Sequence, residues 1–153
     1  MVLGGPFDWV FSGVNAGGNL GADVFGSGTV AAAREACLLG LPSLAISQYR
    51  RLADVNWCTA TDWAEVVLRW VLDRPRVPRT FWNVNLPHLP EGAEKPEIVV
   101  CPFDPNPLPV QYETQAGRFQ YCGRYHEREV HPGSDVATCF GGRIAATLMK
   151  IGQ

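Results

Sequence analysis

Two asparagines and three hydroxyl residues share one glycine-rich stretch, Ser12-Gly13-Val14-Asn15-Ala16-Gly17-Gly18-Asn19-Leu20-Gly21, continued by Gly26-Ser27-Gly28-Thr29. Asn15 and Asn19 supply neutral carbonyl oxygens, which suit a hard divalent cation, and amide groups that can bond an oxyanion. Ser27, Gly28 and Thr29 stand where a helix is expected to begin. Free N–H groups and the dipole of a helix N-terminus favour a phosphate there. The glycines permit positive φ and close approach of backbone N–H groups to a ligand. A plainer reading is a turn whose Asn side chains cap their own backbone, with Ser27 as an ordinary N-cap. No G-x-x-x-x-G-K-[ST] occurs, and no G-x-G-x-x-G follows a strand, which weakens the ATPase and dinucleotide readings.

Other reactive residues read more simply. Asp8 sits at the amino end of its strand, away from the loop, and reads as structural. Asp23 lies close enough in sequence to Asn15 and Ser27 to help hold a cation. His126 and His131 belong to a charged segment, Arg124 to His131, that reads as a solvated loop, and His88 follows Pro87 as a loop residue. The five cysteines have no C-x-x-C pair, so they give neither a zinc site nor a disulfide framework. They read as small buried hydrophobes in a reducing compartment.

The elements that must position these residues follow from the apolar pattern. Phe7–Ser12 is a short apolar run, expected as a strand buried on both faces, and the Gly/Asn-rich loop from Gly13 to Gly28 leaves its carboxyl end. Thr29–Leu39 reads as a helix closed by Gly40, and Ser43–Ser47 as a second buried strand, which makes a βαβ unit with a parallel sheet. A further helix opens at Asp62 and Glu65, with Trp63, Val66, Val67, Trp70 and Val71 on one face, where both tryptophans read as core. Thr80–Leu86 is the next strand. Pro87 to Pro109 then holds seven of the chain's twelve prolines around a short strand at Glu97–Cys101. Gln111–Thr114 and Arg118–Cys122 flank a turn at Ala116-Gly117 as a hairpin. Ser134–Ala137 can start a helical turn, and Arg143–Met149 a last strand.

At 153 residues, 46% hydrophobic and 18% charged, the chain has the material for one core and no case for disorder. A net charge of -2 argues against a nucleic-acid polymer as partner. No apolar run approaches the roughly 20 residues of a bilayer span, and the first residues lack the pattern of a signal peptide. A cytoplasmic protein without membrane contact is expected.

Several blocks in order carry a resemblance. Asp8-Trp9-Val10-Phe11-Ser12-Gly13-Val14-Asn15-x-Gly17-x-Asn19-x-Gly21 is followed by Ser27-Gly28-Thr29-Val30-x-Ala32-Ala33-Arg34-Glu35 and by Gly40-Leu41-Pro42-Ser43-Leu44-Ala45-Ile46-Ser47. Asn83-Val84-Asn85-Leu86-Pro87 and Pro132-Gly133-Ser134-Asp135-Val136, with Gly142 and Thr147, continue it. Together they resemble the SurE (stationary-phase survival protein) family of metal-dependent 5′/3′-nucleotidases and phosphatases. The resemblance implies an α/β fold: a Rossmann-like, mostly parallel sheet with helices on both faces, three layers, and a C-terminal β-hairpin extension within one domain spanning 1–153. Residues 110–134 would form the protruding hairpin and loop.

By position, the resemblance implies that Asn15 ligates a divalent metal ion, Mg²⁺ or Mn²⁺. Asn19 would lie near the site and orient the loop, while Ser27, Gly28 and Thr29 would receive the substrate phosphate. It implies hydrolysis of a nucleoside monophosphate or another phosphomonoester, and a homodimer or homotetramer. The hairpin and its following loop, with Tyr112, Phe119, Tyr121 and Tyr125, would contribute to subunit association. The family's opening Asp-Asp-Gly motif, source of two metal-binding aspartates, has no counterpart in these residues, so the catalytic residues stay unassigned. Two rival readings follow: a catalytically incomplete remnant, or an oligomerising scaffold without activity.

Overall fold

Residues 6–51, 54–115 and 117–152 are described by the structure, a computed structural model. Buried β-branched and aliphatic runs form the strands β1 (Val10–Ala16), β2 (Ser43–Gln48), β3 (Thr80–Leu86), β4 (Ile98–Val100) and, last in the chain, β7 (Ile144–Lys150). They make one sheet in the order β1-β2-β3-β7-β4. β1, β2 and β3 run parallel, β7 is antiparallel to β3, and β4 is parallel to β7. The sheet is therefore mostly parallel, as expected.

Period-two alternation divides β2 and β3 between two cores. Leu44, Ile46, Val84 and Leu86 pack with Ala60, Trp63, Val67 and Val71 of α2 (Trp57–Leu72) on one face. On the other face, Ala45 and Phe81 meet Val30, Ala33 and Cys37 of α1 (Gly28–Leu38). Ala145 on that face meets Val136 and Cys139 of α3 (Asp135–Phe140). Helices thus cover both faces, and the three layers are present.

Four details differ from the sequence reading. β1 starts three residues later and continues through Asn15 to Ala16, so the metal-ligand candidate lies in a strand end and not in the loop. β1 is also only half buried, with Phe11 46% exposed, because β2 is its one neighbour among the described residues. Its pairing with β2 is irregular between Ser12 and Asn15. Gly13 there has φ +126, and a Cβ would collide with the Ile46 carbonyl oxygen, so only glycine lets the strand pass.

The second difference is that α2 begins five residues before Asp62. Asn56, whose side chain accepts from the Thr59 N–H at 3.2 Å, supplies the cap in place of the Asp62–Glu65 pair. Asn56→Ala should cost about 1 kcal/mol in a urea unfolding curve, whereas Asp62→Ala should cost little. Third, Cys58 and Cys122 are exposed, unlike the buried Cys37, Cys101 and Cys139. Fourth, the hairpin β5 (Tyr112–Gln115) and β6 (Arg118–Tyr121) is exposed at every strand position, but Tyr125 folds back onto the core. The expected turn residue Ala116 lies outside the described residues. No helix among the described residues is long and apolar enough to cross a membrane.

Candidate phosphate site at the carboxyl ends of the strands

A strand–loop–helix crossover places the start of α1 at the pole where β1, β2 and β3 end, which is where open α/β sheets bind ligands. The register aligns Asn15, Ser47 and Asn85 in one row across these strand ends. Ser47 and Asn85 face the α1 side, because Ile46, Val84 and Leu86 face α2.

Asn19 joins the loop to this row. Its N–H donates to Asn85 Oδ1 at 2.7 Å, and its own amide nitrogen donates to Ser47 Oγ at 2.6 Å. Its carbonyl oxygen accepts from Asn83 Nδ2 at 2.9 Å and from Asn85 Nδ2 at 3.0 Å. All four residues are at least 90% buried. Asn19 thus positions the Gly17–Gly21 backbone on the sheet, and its amide nitrogen points inward to Ser47. Buried and largely satisfied, such a network holds one loop conformation.

Asn15 is half buried, and its Nδ2 donates to the Gly17 carbonyl oxygen at 2.8 Å. Its donor end is committed to the loop, leaving Oδ1 as the end available to a cation or donor. Ser27 is the N-cap of α1, with Oγ accepting from the Val30 N–H at 3.2 Å. Gly28 is exposed, with nothing within 4 Å of the place a Cβ would occupy. The first-turn N–H groups of α1 have no intrahelical partner. Local capping by Asn15 and Ser27 and an open helix start therefore coexist.

Behind the loop, buried Asp135 anchors it from the α3 side, and buried Asp104 lies next to Asp135. Asp135 Oδ2 accepts from the Gly21 N–H at 2.9 Å, and Oδ1 accepts from the N–H groups of Asp104 and Val136. Burial pushes the Asp135 carboxyl up, against those three N–H groups. Asp104 accepts from Ser134 Oγ at 2.6 Å and from the N–H groups of Asn106 and His131. Burial pushes the Asp104 carboxyl up, but the Ser134 hydroxyl, those N–H groups and the Arg128 charge outweigh it and hold the carboxyl below its ordinary range. A depressed carboxylate contributes stability above its unfolded pKa of about 3.9, and that contribution is lost as pH falls through the folded value. Urea unfolding of Asp104→Asn at pH 7 and pH 3 should therefore show a smaller acid-induced loss than the parent chain.

Asp23, whose charge near the loop could help hold a cation, is occupied by hydrogen-bond donors. Its Oδ2 accepts from Tyr125 Oη, from the Leu20 N–H at 3.2 Å, and from the buried Arg128 Nη1 at 3.4 Å. Arg128 also donates to the Leu20 carbonyl at 3.3 Å, so Arg128 and Tyr125 clamp the 21–25 turn. Gly21 has φ +52, and a Cβ there would lie 2.7 Å from Arg128 Nη2. His126 is not the solvated residue expected: its Nδ1 is 2.6 Å from Tyr49 Oη, within an aromatic cluster of Tyr49, Tyr125 and Phe140.

The donor set decides how far a divalent cation fits. Among the described residues no three His, Cys, Asp or Glu side chains gather as a metal site. Asp23, Asp104 and Asp135 are bound by hydrogen-bond donors, leaving the single neutral oxygen of Asn15. Mg²⁺ is usually bound through one or two carboxylates, so these residues alone do not hold it.

Ser47, Arg128 and Asp104 escaped the sequence reading. The legible part of the signal was Asn83-x-Asn85 within an apolar strand, since a spacing of two places both amides on one face.

Comparison with known proteins identifies relatives of the same fold. The family model described as "Survival protein SurE" matches residues 2–104. A protein of Nostoc sp., to which a 5′-nucleotidase activity is ascribed, is 49% identical over 144 residues, covering 94% of this chain and 64% of that protein. The 5′-nucleotidase SurE of Halorhodospira halophila is 36% identical, covering 94% of this chain and 59% of that protein. The crystal structure of the SurE protein from Aquifex aeolicus superposes with a TM-score of 0.76 at 28% identity, covering 94% of this chain and 59% of that one. The chain thus spans about 60% of the length of these relatives.

Proposed function

We propose, for a chain that belongs to the SurE family, that its strand-end loop and the start of α1 form the phosphate-binding half of a nucleoside-monophosphate phosphatase site. One observation carries this reading. The Asn19–Ser47–Asn83–Asn85 network fixes a glycine loop beside the open, capped helix N-terminus at Ser27, Gly28 and Thr29. Backbone N–H groups of Gly28 and Thr29 would bind the phosphate oxygens, aided by the helix dipole. Asn15 Oδ1 would offer one oxygen to a divalent cation, which the described residues alone do not hold and which would polarise the phosphoryl group when bound. Because no cluster of carboxylates that could hold a metal forms among the described residues, the chain should bind a nucleoside monophosphate and turn it over poorly.

Phosphate release from AMP with Mn²⁺ present tests the assignment. Turnover is expected to be weak and to fall further in Asn15→Ala, whereas undiminished turnover in that variant would remove Asn15 from the site.

The hairpin supports a proposal about assembly. Phe119 is 78% exposed and Tyr112 59% exposed on adjoining strands, a pattern suited to contact with a second copy in a homodimer or homotetramer. Light scattering should show an oligomer that Phe119→Ser weakens, and a strictly monomeric parent chain would contradict the proposal.

A further inference from the structure

At the opposite pole, where β1, β2 and β3 begin and α1 and α2 end, the chain forms a cavity of about 400 Å³. That volume falls in the usual range for small-molecule sites. Trp9, Trp82 and Val71 supply apolar wall, and Arg74, Arg76 and Arg79 line the same space. No lining residue is acidic, and none of the three guanidinium groups forms an ion pair among the described residues.

Two of the arginines lie over aromatic rings. Arg74 Cζ lies 3.8 Å from the Trp70 ring centroid, and Arg76 Cζ lies 5.4 Å from that of Trp9. Arg79 adopts φ +60, an uncommon conformation for a residue with a side chain, and its Nε donates to the Ile151 carbonyl at 3.2 Å. Pro75 and Pro78 stiffen the segment that carries all three. Burial pushes the Cys37 thiol up, and the Arg79 charge, which reaches this wall residue of the cavity, opposes it.

Three cations without acidic partners over an indole-lined hollow are complementary to one ligand class. We propose that this pole binds a planar aromatic anion, its ring against Trp9 and Trp82 and its acidic group on Arg74 and Arg76. Guanidinium groups suit such a ligand because they bond planar oxyanions and stack on aromatic faces. The site lies at the other end of the strands from the phosphate loop, and its occupancy does not depend on the phosphatase reading.

Naphthalene-2-sulfonate tests the proposal, because it carries the ring and the charge but no cleavable phosphate. Its binding to the 153-residue chain is followed through the tryptophan indole N–H signals by NMR, beside neutral naphthalene-2-methanol and inorganic sulfate. The sulfonate should shift the Trp9 and Trp82 signals saturably and more than those of Trp57 and Trp63. The methanol analogue and sulfate should each bind at least about tenfold more weakly. The double variant Arg74→Gln/Arg76→Gln, altered only at exposed side chains, should stay folded, with a cooperative melt lowered by no more than a few degrees, and lose about tenfold in affinity. Equal binding of the neutral analogue, unchanged affinity in the double variant, or largest shifts at Trp57 and Trp63 would each overturn it.

Discussion

Asn85→Leu is expected to destabilise the chain by about 2–4 kcal/mol and to lower its melting temperature by roughly 5–15 °C. Asn85 is fully buried, and it both accepts from the Asn19 N–H and donates to the Asn19 carbonyl. Leucine has a similar volume, so loss of packing contributes little. The cost comes from the Asn19 N–H, left in a dry interior without an acceptor. The Asn19 carbonyl still receives Asn83 Nδ2, which keeps the loss from doubling.

Asn83 supplies the comparison. Its Oδ1 is buried without a partner, so Asn83→Leu removes one hydrogen bond and also removes an orphaned oxygen. Its cost should be less than half that of Asn85→Leu in thermal or urea unfolding. Equal losses would show that the loop is not held chiefly through Asn85.

The second large effect falls on binding. Gly28→Pro should weaken the affinity for inorganic phosphate about tenfold while leaving the melting temperature unchanged or slightly raised. Gly28 is the first residue of α1, where proline's fixed φ suits the helix and its missing N–H breaks no intrahelical bond. Ser27, at φ −81 and ψ 124, already has the extended backbone that a following proline requires. Nothing lies within 4 Å of the new Cβ position. The substitution thus removes one N–H donor from the proposed cradle and little else. Calorimetric titration with phosphate reads the outcome, and unchanged affinity would take the Gly28 N–H out of the site.

Residues acting over short sequence distances were the legible ones. β2, β3 and β7 follow from apolar runs, the hairpin from its Ala116-Gly117 turn, and α1 with its Ser27 cap from an alanine-rich run. β1 was misjudged because half-burial at a sheet edge is set by which strands sit beside it, a long-range property that Phe7–Ser12 does not encode. Asp62 and Glu65 match a capping pattern locally, whereas Asn56, six residues earlier, holds the actual cap of α2.

The same distinction runs through the site. Asn15, Ser27 and Gly28 lie within one short segment and were found together. The partners that hold that segment do not: Ser47 lies 28 residues from Asn19, Arg128 105 residues from Asp23, and Asp135 114 residues from Gly21. The partners of Asp23 are hidden for this reason, since only the fold supplies Arg128 and Tyr125. His126 likewise gains Tyr49 as a partner from 77 positions away.

The proposed site places a phosphate monoester at the junction of the Gly17–Gly21 loop and α1. A backbone amide NMR titration of the 153-residue chain with AMP reads that place directly. The largest saturable shifts are predicted at the amides of Gly28 and Thr29 and within the Gly17–Gly21 loop, and Gly28→Pro should weaken them together. Saturable binding that leaves those amides unmoved, with its shifts clustered elsewhere on the chain, would contradict the account.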